Sequence, residues 1–258
     1  MIKIHTQTFG QGQPLVLVHG WAMHSGIWRN FAELLSQSYQ VTCVDLPGHG
    51  YSEALDEFTL EAVSMALVNA VPEPQSTWLG WSLGATVVLE IAQRFPERVS
   101  SLILLGGNPF FTQTEQWPGM KINLLDAFAE QLHADCRATL LRFLSLQVNN
   151  LPDFKFLLKN LKSAVLECAP PEPSTLQGGL AILKGADLRS VLAEARVPVL
   201  VILGAQDTLV PNKLGEYLLA LAPEIQLSII DKAGHVPFLS HPQVLLDIIT
   251  EFMDESCV

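Results

Sequence analysis

The chain has 258 residues, 49% of them apolar, with 15 Lys+Arg against 26 Asp+Glu for a formal net charge of −11. That length suits one compact domain with room for an insertion, and so acidic a balance argues against nucleic acid or an anionic membrane as the main partner, because both demand surplus cations. The longest apolar runs, around Val99–Gly107 and Val197–Ala205, fall well short of the about 20 residues a spanning helix needs.

Residues 1–15 carry one Lys and no continuous apolar stretch, so the layout of a secretory signal is missing and a cytoplasmic location is expected. Four short apolar runs follow, Leu15–Val18, Gln40–Val44, Thr77–Leu79 and Leu102–Leu105, and read as buried parallel strands. Between them Trp28–Ser36, Thr59–Ala70 and Gly84–Arg94 space their apolar residues by three and four, which predicts helices packed on the sheet. From about Phe111 to Lys184 the pattern turns helical, with segments Asn123–His133, Ala138–Val148, Phe154–Glu167 and Leu176–Lys184 and a stiff, non-helical connector at Ala169–Pro173. Strand patterning returns at Val197–Leu203 and Gln226–Ile230, and Pro242–Met253 closes the chain as a helix. The expected class is therefore α/β, a mostly parallel sheet flanked by helices. Residues 1–110 and 185–258 form the core and 111–184 a helical cap inserted into it.

Gly80-Trp81-Ser82-Leu83-Gly84 lies between a predicted strand and a predicted helix. Small residues flanking a serine there permit a sharp turn that exposes its oxygen at the carboxyl edge of the sheet, a nucleophile elbow. A serine hydroxyl needs a base, and the base needs an acid to hold its tautomer. His235, in the loop after Gln226–Ile230, is the expected base; His241, just before Pro242, reads as a capping or surface residue. Asp207, after the strand ending at Leu203, is preferred as the acid over Asp231, which stands only four residues before His235. The backbone amides of Leu83 and Trp21 are the expected donors to the oxyanion, while His19 and Asp45 read as structural. With serine rather than aspartate at position 82, an acyl-enzyme is expected. The cysteines (Cys43, Cys136, Cys168 and Cys257) and the histidines show no ligand spacing, so reduced thiols and no metal or organic cofactor are anticipated.

Phe110, Phe111, Trp117, Phe128, Phe143, Leu144, Leu146 and Phe154 make the cap apolar, consistent with an aliphatic acyl chain beneath it. Residues 137–162 hold Arg137, Arg142, Lys155, Lys159 and Lys162 against the single acid Asp153. The three lysines fall at i, i+4, i+7 on one helix face, which reads either as a solvated face or as a docking surface for an acidic partner.

Leu17-Val18-His19-Gly20-Trp21, Asp45-Leu46-Pro47-Gly48-His49-Gly50-Tyr51-Ser52, Gly80-Trp81-Ser82-Leu83-Gly84 and Gly234-His235 together resemble the α/β-hydrolase superfamily over nearly the whole length. Closer similarity, carried by Trp78–Gly84, Trp117-Pro118-Gly119, Arg142–Gln147 and Leu176–Lys184, is to the pimeloyl-acyl-carrier-protein methyl ester esterases of biotin synthesis. That resemblance implies a substrate tunnel touched by Trp21, Ser82, Leu83, Phe143, Leu144, Ser145, Leu146, Gln147 and His235. It also implies basic cap residues that meet an acyl carrier protein, in an enzyme expected to act as a monomer. The chain departs from the family at Ala22 and Ala85, where glycine is expected, and at several lysines that replace arginine. A general short-chain carboxylesterase, a carbon–carbon bond hydrolase and a receptor that keeps the triad are the alternative readings.

Overall fold

Uninterrupted runs of Val, Leu and Ile suit strands covered on both faces, and such strands pair in parallel through crossover helices. In the computed structural model, which describes residues 2–149 and 151–256, β1 (Thr6–Phe9), β2 (Gln13–Val18), β3 (Tyr39–Val44), β4 (Ser76–Trp81), β5 (Val99–Leu105), β6 (Val199–Gly204) and β7 (Gln226–Ile230) form one sheet in the order β1-β3-β2-β4-β5-β6-β7. Every pairing is parallel except β1 with β3. Strand β1 escapes sequence reading because it is a short edge strand, largely exposed, and lacks the apolar run of its neighbours. Val16 and Val18 enter one apolar cluster and Leu15 and Leu17 the other, so alternate residues of a continuous run feed cores on opposite faces of the sheet.

The crossover helices α1 (Arg29–Leu35), α2 (Leu60–Ala70) and α3 (Leu83–Arg94) stand close to their predicted positions. Helix α2 starts where Thr59 Oγ1 accepts the Ala62 amide at 3.2 Å. Between β5 and β6 run α4 (Ile122–Ala134), α5 (Cys136–Gln147), α6 (Phe154–Val165) and α7 (Pro173–Gly185). Pro173, assigned by sequence to the non-helical connector, opens α7 instead: proline is tolerated at a first helical position because its missing amide would have no partner there. After β5 the chain also forms α8 (Arg189–Ala193), α9 (Leu214–Leu221) and α10 (Pro237–Ser240), all too short to show a helical period, before α11 (Pro242–Glu255). His241 makes no capping bond at the start of α11; its Nδ1 pairs with Ser240 Oγ at 2.8 Å.

The α4–α7 segment is bound at several points to the stretch that follows β2 and to the start of α1. Arg29 grips Glu167 through two bonds of 3.0 and 2.7 Å, His24 Nε2 donates to the Ala164 carbonyl at 2.6 Å, and Trp21 Nε1 donates to the Leu176 carbonyl at 2.8 Å. No helix among the described residues is long and apolar enough to cross a membrane. Cys43, Cys136 and Cys168 are unpaired thiols, and Cys257 lies outside the described residues.

Candidate active site

Strand β4 ends at Trp81 and α3 begins at Leu83, leaving Ser82 alone in the turn with φ 57° and ψ −116°. That left-handed backbone is strained for any residue with a side chain, and such strain persists only where the surroundings over-determine it. The flanking glycines supply the determination. A Cβ on Gly80 would lie 2.2 Å from the Gly84 carbonyl oxygen, and one on Gly84 would lie 2.4 Å from the Val18 oxygen. The Ser82 amide donates to the Leu105 carbonyl at 3.0 Å, which ties the turn to β5.

The loops after β6 and β7 reach the same edge of the sheet. Asp207 Oδ1 accepts the amides of Leu209 and Val210 at 2.8 and 3.0 Å, and its Oδ2 lies 2.7 Å from His235 Nδ1. Because an ionised carboxylate can only accept, the Nδ1 proton belongs to the imidazole and Nε2 is left as a base. His235 Nε2 is buried and has no hydrogen-bond partner among the described residues. The His235 backbone is held as well: Trp81 Nε1 donates to the His235 carbonyl at 2.8 Å, and the His235 amide donates to the Gln147 carbonyl at 3.2 Å. Sequence reading assigned no role to Trp81, since the variable position of the motif carries no signal of this contact. Asp231, the alternative acid, is exposed, whereas Asp207 is buried.

On the opposite side His19 organises the loop after β2. Its Nε2 accepts the Leu46 amide at 2.9 Å and its Nδ1 donates to the Gly20 carbonyl at 2.8 Å. Burial above all lowers its pKa to about 3, and burial likewise lowers that of the neighbouring His49 to about 3, so both rings are neutral. Across a planar trans peptide the carbonyl and the following amide point in opposite directions, so fixing the Gly20 oxygen aims the Trp21 amide away from His19. Neither that amide nor the Leu83 amide has a backbone acceptor among the described residues. Asp45 is structural in the way its sequence context predicts, with Oδ1 accepting from Ser25 at 2.6 Å and Oδ2 from Tyr51 at 2.9 Å. A strained serine, a buried Asp–His pair and, among the described residues, an unpartnered ring nitrogen and two amides with no backbone acceptor match the parts that acyl transfer needs.

The α/β-hydrolase-fold family model matches residues 13–242. The chain is 44% identical over 250 residues to the pimeloyl-[acyl-carrier protein] methyl ester esterase of Methylococcus capsulatus, covering 97% of this chain and 98% of the relative. It is 40% identical over 244 residues to the protein of the same name from Nitrosomonas europaea, with 94% and 96% covered. The chain belongs to this esterase family of α/β-hydrolases. An esterase from Exiguobacterium antarcticum superposes with a TM-score of 0.88 at 23% identity, over 98% of this chain and 96% of that one, and speaks to the fold alone.

The two alanines at positions where glycine is expected sit in tight local surroundings. Ala22 holds φ at 62°, a backbone that glycine adopts without strain and alanine does not. Ala85 faces Gly107, where a Cβ would lie 2.3 Å from the alanine methyl, so the pair shares one space. The five residues 143–147 end α5 and span more than a full turn, so they cannot all face one tunnel. Phe143 packs edge-on against Trp21 with centroids 4.8 Å apart, and Gln147 is buried with both amide atoms unpartnered among the described residues. Leu144 joins the other core, the Ser145 hydroxyl bonds back to the Leu141 carbonyl at 2.9 Å, and the Leu146 carbonyl accepts from Thr208 at 3.0 Å.

Arg137 and Arg142 stand on α5 and Lys155, Lys159 and Lys162 on α6, all exposed except half-buried Lys162. None of the five pairs with a carboxylate among the described residues, although Arg29, Arg94, Lys184 and Arg189 all do. Two nearby acids are engaged elsewhere, Asp135 capping α5 through the Ala138 amide and Glu167 held by Arg29, while exposed Asp153 at the start of α6 makes no side-chain capping bond.

Proposed function

We propose that the chain is a serine carboxylesterase that removes the methyl ester of a pimeloyl chain carried on acyl carrier protein, working in the cytoplasm as a monomer within biotin synthesis. The observation that carries the reading is the 2.7 Å Asp207–His235 bond, which leaves a free ring nitrogen at the sheet edge where Ser82 turns. The names of the full-length relatives supply the substrate.

Ser82 Oγ attacks the ester carbonyl while His235 Nε2 takes its proton, and the charge that develops on the carbonyl oxygen is met by the Trp21 and Leu83 amides. Asp207 holds the ring and stabilises the imidazolium. The carbon–methoxy bond breaks, His235 returns the proton to the leaving oxygen, and methanol departs. Water, activated by the same histidine, then cleaves the Ser82 acyl ester and frees the carboxylate. No step calls for a metal or an organic cofactor.

Helices α4–α7 act as a cap over this site, with Trp21, Phe143 and Gln147 against the acyl chain and Leu144, Ser145 and Leu146 shaping the wall behind them. The cations Arg137, Arg142, Lys155, Lys159 and Lys162, none paired with a carboxylate among the described residues, receive the acidic carrier. Opposite charge at such a surface speeds encounter and fades as salt rises.

The test is complementation of cells that lack the esterase. The reading expects this chain to restore growth without biotin and Ser82→Ala to fail; growth restored equally by Ser82→Ala, or by neither, contradicts it.

A further inference from the structure

Helix α6 turns Leu157 and Leu161 inward, which should leave its outer face polar. It does not. Phe156 is 64% exposed and Leu166, at the end of the same helix, 66% exposed. At 100° per residue both fall on the outer face beside Lys155 and Lys159, and Phe156 belongs to neither apolar core nor to any ring pair found among the described residues. An aromatic left in water beside Lys155 and Lys159, neither of which pairs with a carboxylate among the described residues, does nothing for the fold. Protein interfaces have this composition: charge at the rim steers, and a few buried aromatics hold.

Resting on the carrier-dependent reading above, we propose that Phe156 is the apolar anchor of the carrier-docking face, with Leu166, about 15 Å further along the same helix, as a second apolar contact. The occupant is a helix of the acidic carrier that presents an aliphatic side chain between its carboxylates. The cations and the phenylalanine then have separable duties. Lys155 and Lys159 raise the encounter rate and lose their effect in salt, whereas burial of the ring slows dissociation and is insensitive to salt.

Two measurements on the full chain decide this. Binding of the carrier to a Ser82→Ala background is measured by calorimetry at low and high salt, with Phe156→Ala, Phe156→Leu and Lys159→Ala added in turn. Hydrolysis of the carrier-linked methyl ester and of dimethyl pimelate is measured with Ser82 intact. Phe156→Ala should weaken carrier binding about tenfold at either salt and raise KM for the carrier-linked ester alike, with kcat, hydrolysis of dimethyl pimelate and the melting temperature unchanged. Phe156→Leu should recover most of the loss, and Lys159→Ala should matter at low salt only. Carrier affinity within twofold of the parent in Phe156→Ala overturns the inference, as does a parent that binds no carrier. If binding depends on Phe156 yet wild type releases no methanol from the carrier-linked ester, the anchor stands and the proposed reaction falls.

Discussion

Asp207 Oδ2 and His235 Nδ1, 28 residues apart in the chain, meet at 2.7 Å with both side chains closed to solvent. The other Asp207 oxygen is occupied by the Leu209 and Val210 amides, so the carboxylate can turn in only one way. The pair therefore selects the imidazole tautomer as well as its position.

Asp207→Asn should keep the position and lose the tautomer, since an amide can donate to Nδ1 and leave the proton on Nε2. We expect kcat for a simple ester to fall about 10³–10⁴-fold, with the thermal midpoint little changed. Steady-state rates beside a melting curve check this, and a loss of less than tenfold would remove Asp207 from the mechanism.

Ala22 holds a left-handed φ of 62° next to the Trp21 amide. Ala22→Gly relieves strain at the cost of a more flexible unfolded chain, and the net gain should be about 0.5–1 kcal/mol. For a chain of this size that is a rise of about 1–4 °C in Tm. An unchanged or lower Tm would show that the loop already accommodates the alanine.

Much of this was legible in the residues themselves. The elbow was readable because Gly80, Ser82 and Gly84 sit between a strand and a helix, each with a strong pattern of its own. Asp207 and His235 were readable because each follows a predicted strand at its carboxyl end, β6 fully buried and β7 at the edge of the sheet. Strand β1 and helices α8 to α10 were not, because an exposed edge and a helix of one or two turns leave no period to detect. The division of residues 143–147 between two cores was equally hidden. It depends on which way α5 is rotated, and an apolar run reads the same at every rotation.

Buried, neutral His19 and His49 make stability depend on pH. Both folded pKa values lie at about 3, below the ordinary 6.5. Above pH 6.5 neither state binds a proton at these rings, and the stability is complete. As pH falls from 6.5 toward 3 the unfolded chain takes up protons that the folded chain refuses, costing about 1.4 kcal/mol per ring per pH unit. Between pH 7 and 5 the two rings should together remove about 4 kcal/mol. Urea midpoints at the two pH values measure the loss, and equal midpoints would contradict the burial assigned to these rings.

Gln147 is buried with neither amide atom bonded among the described residues, an arrangement that costs about 1–3 kcal/mol. Gln147→Met, which keeps the length and drops the amide, should raise Tm while raising KM for dimethyl pimelate, because the same amide is available to substrate. A lower Tm with unchanged KM would assign the residue to structure alone.

The central claim is that Ser82, His235 and Asp207 form one nucleophilic unit, and active-site phosphonylation tests it most directly. With a p-nitrophenyl alkylphosphonate, intact-mass and peptide analysis should find one adduct per chain on Ser82. Its formation should slow about 10³-fold in His235→Ala and be abolished in Ser82→Ala. Labelling elsewhere in the chain, or at an undiminished rate without His235, would contradict the account.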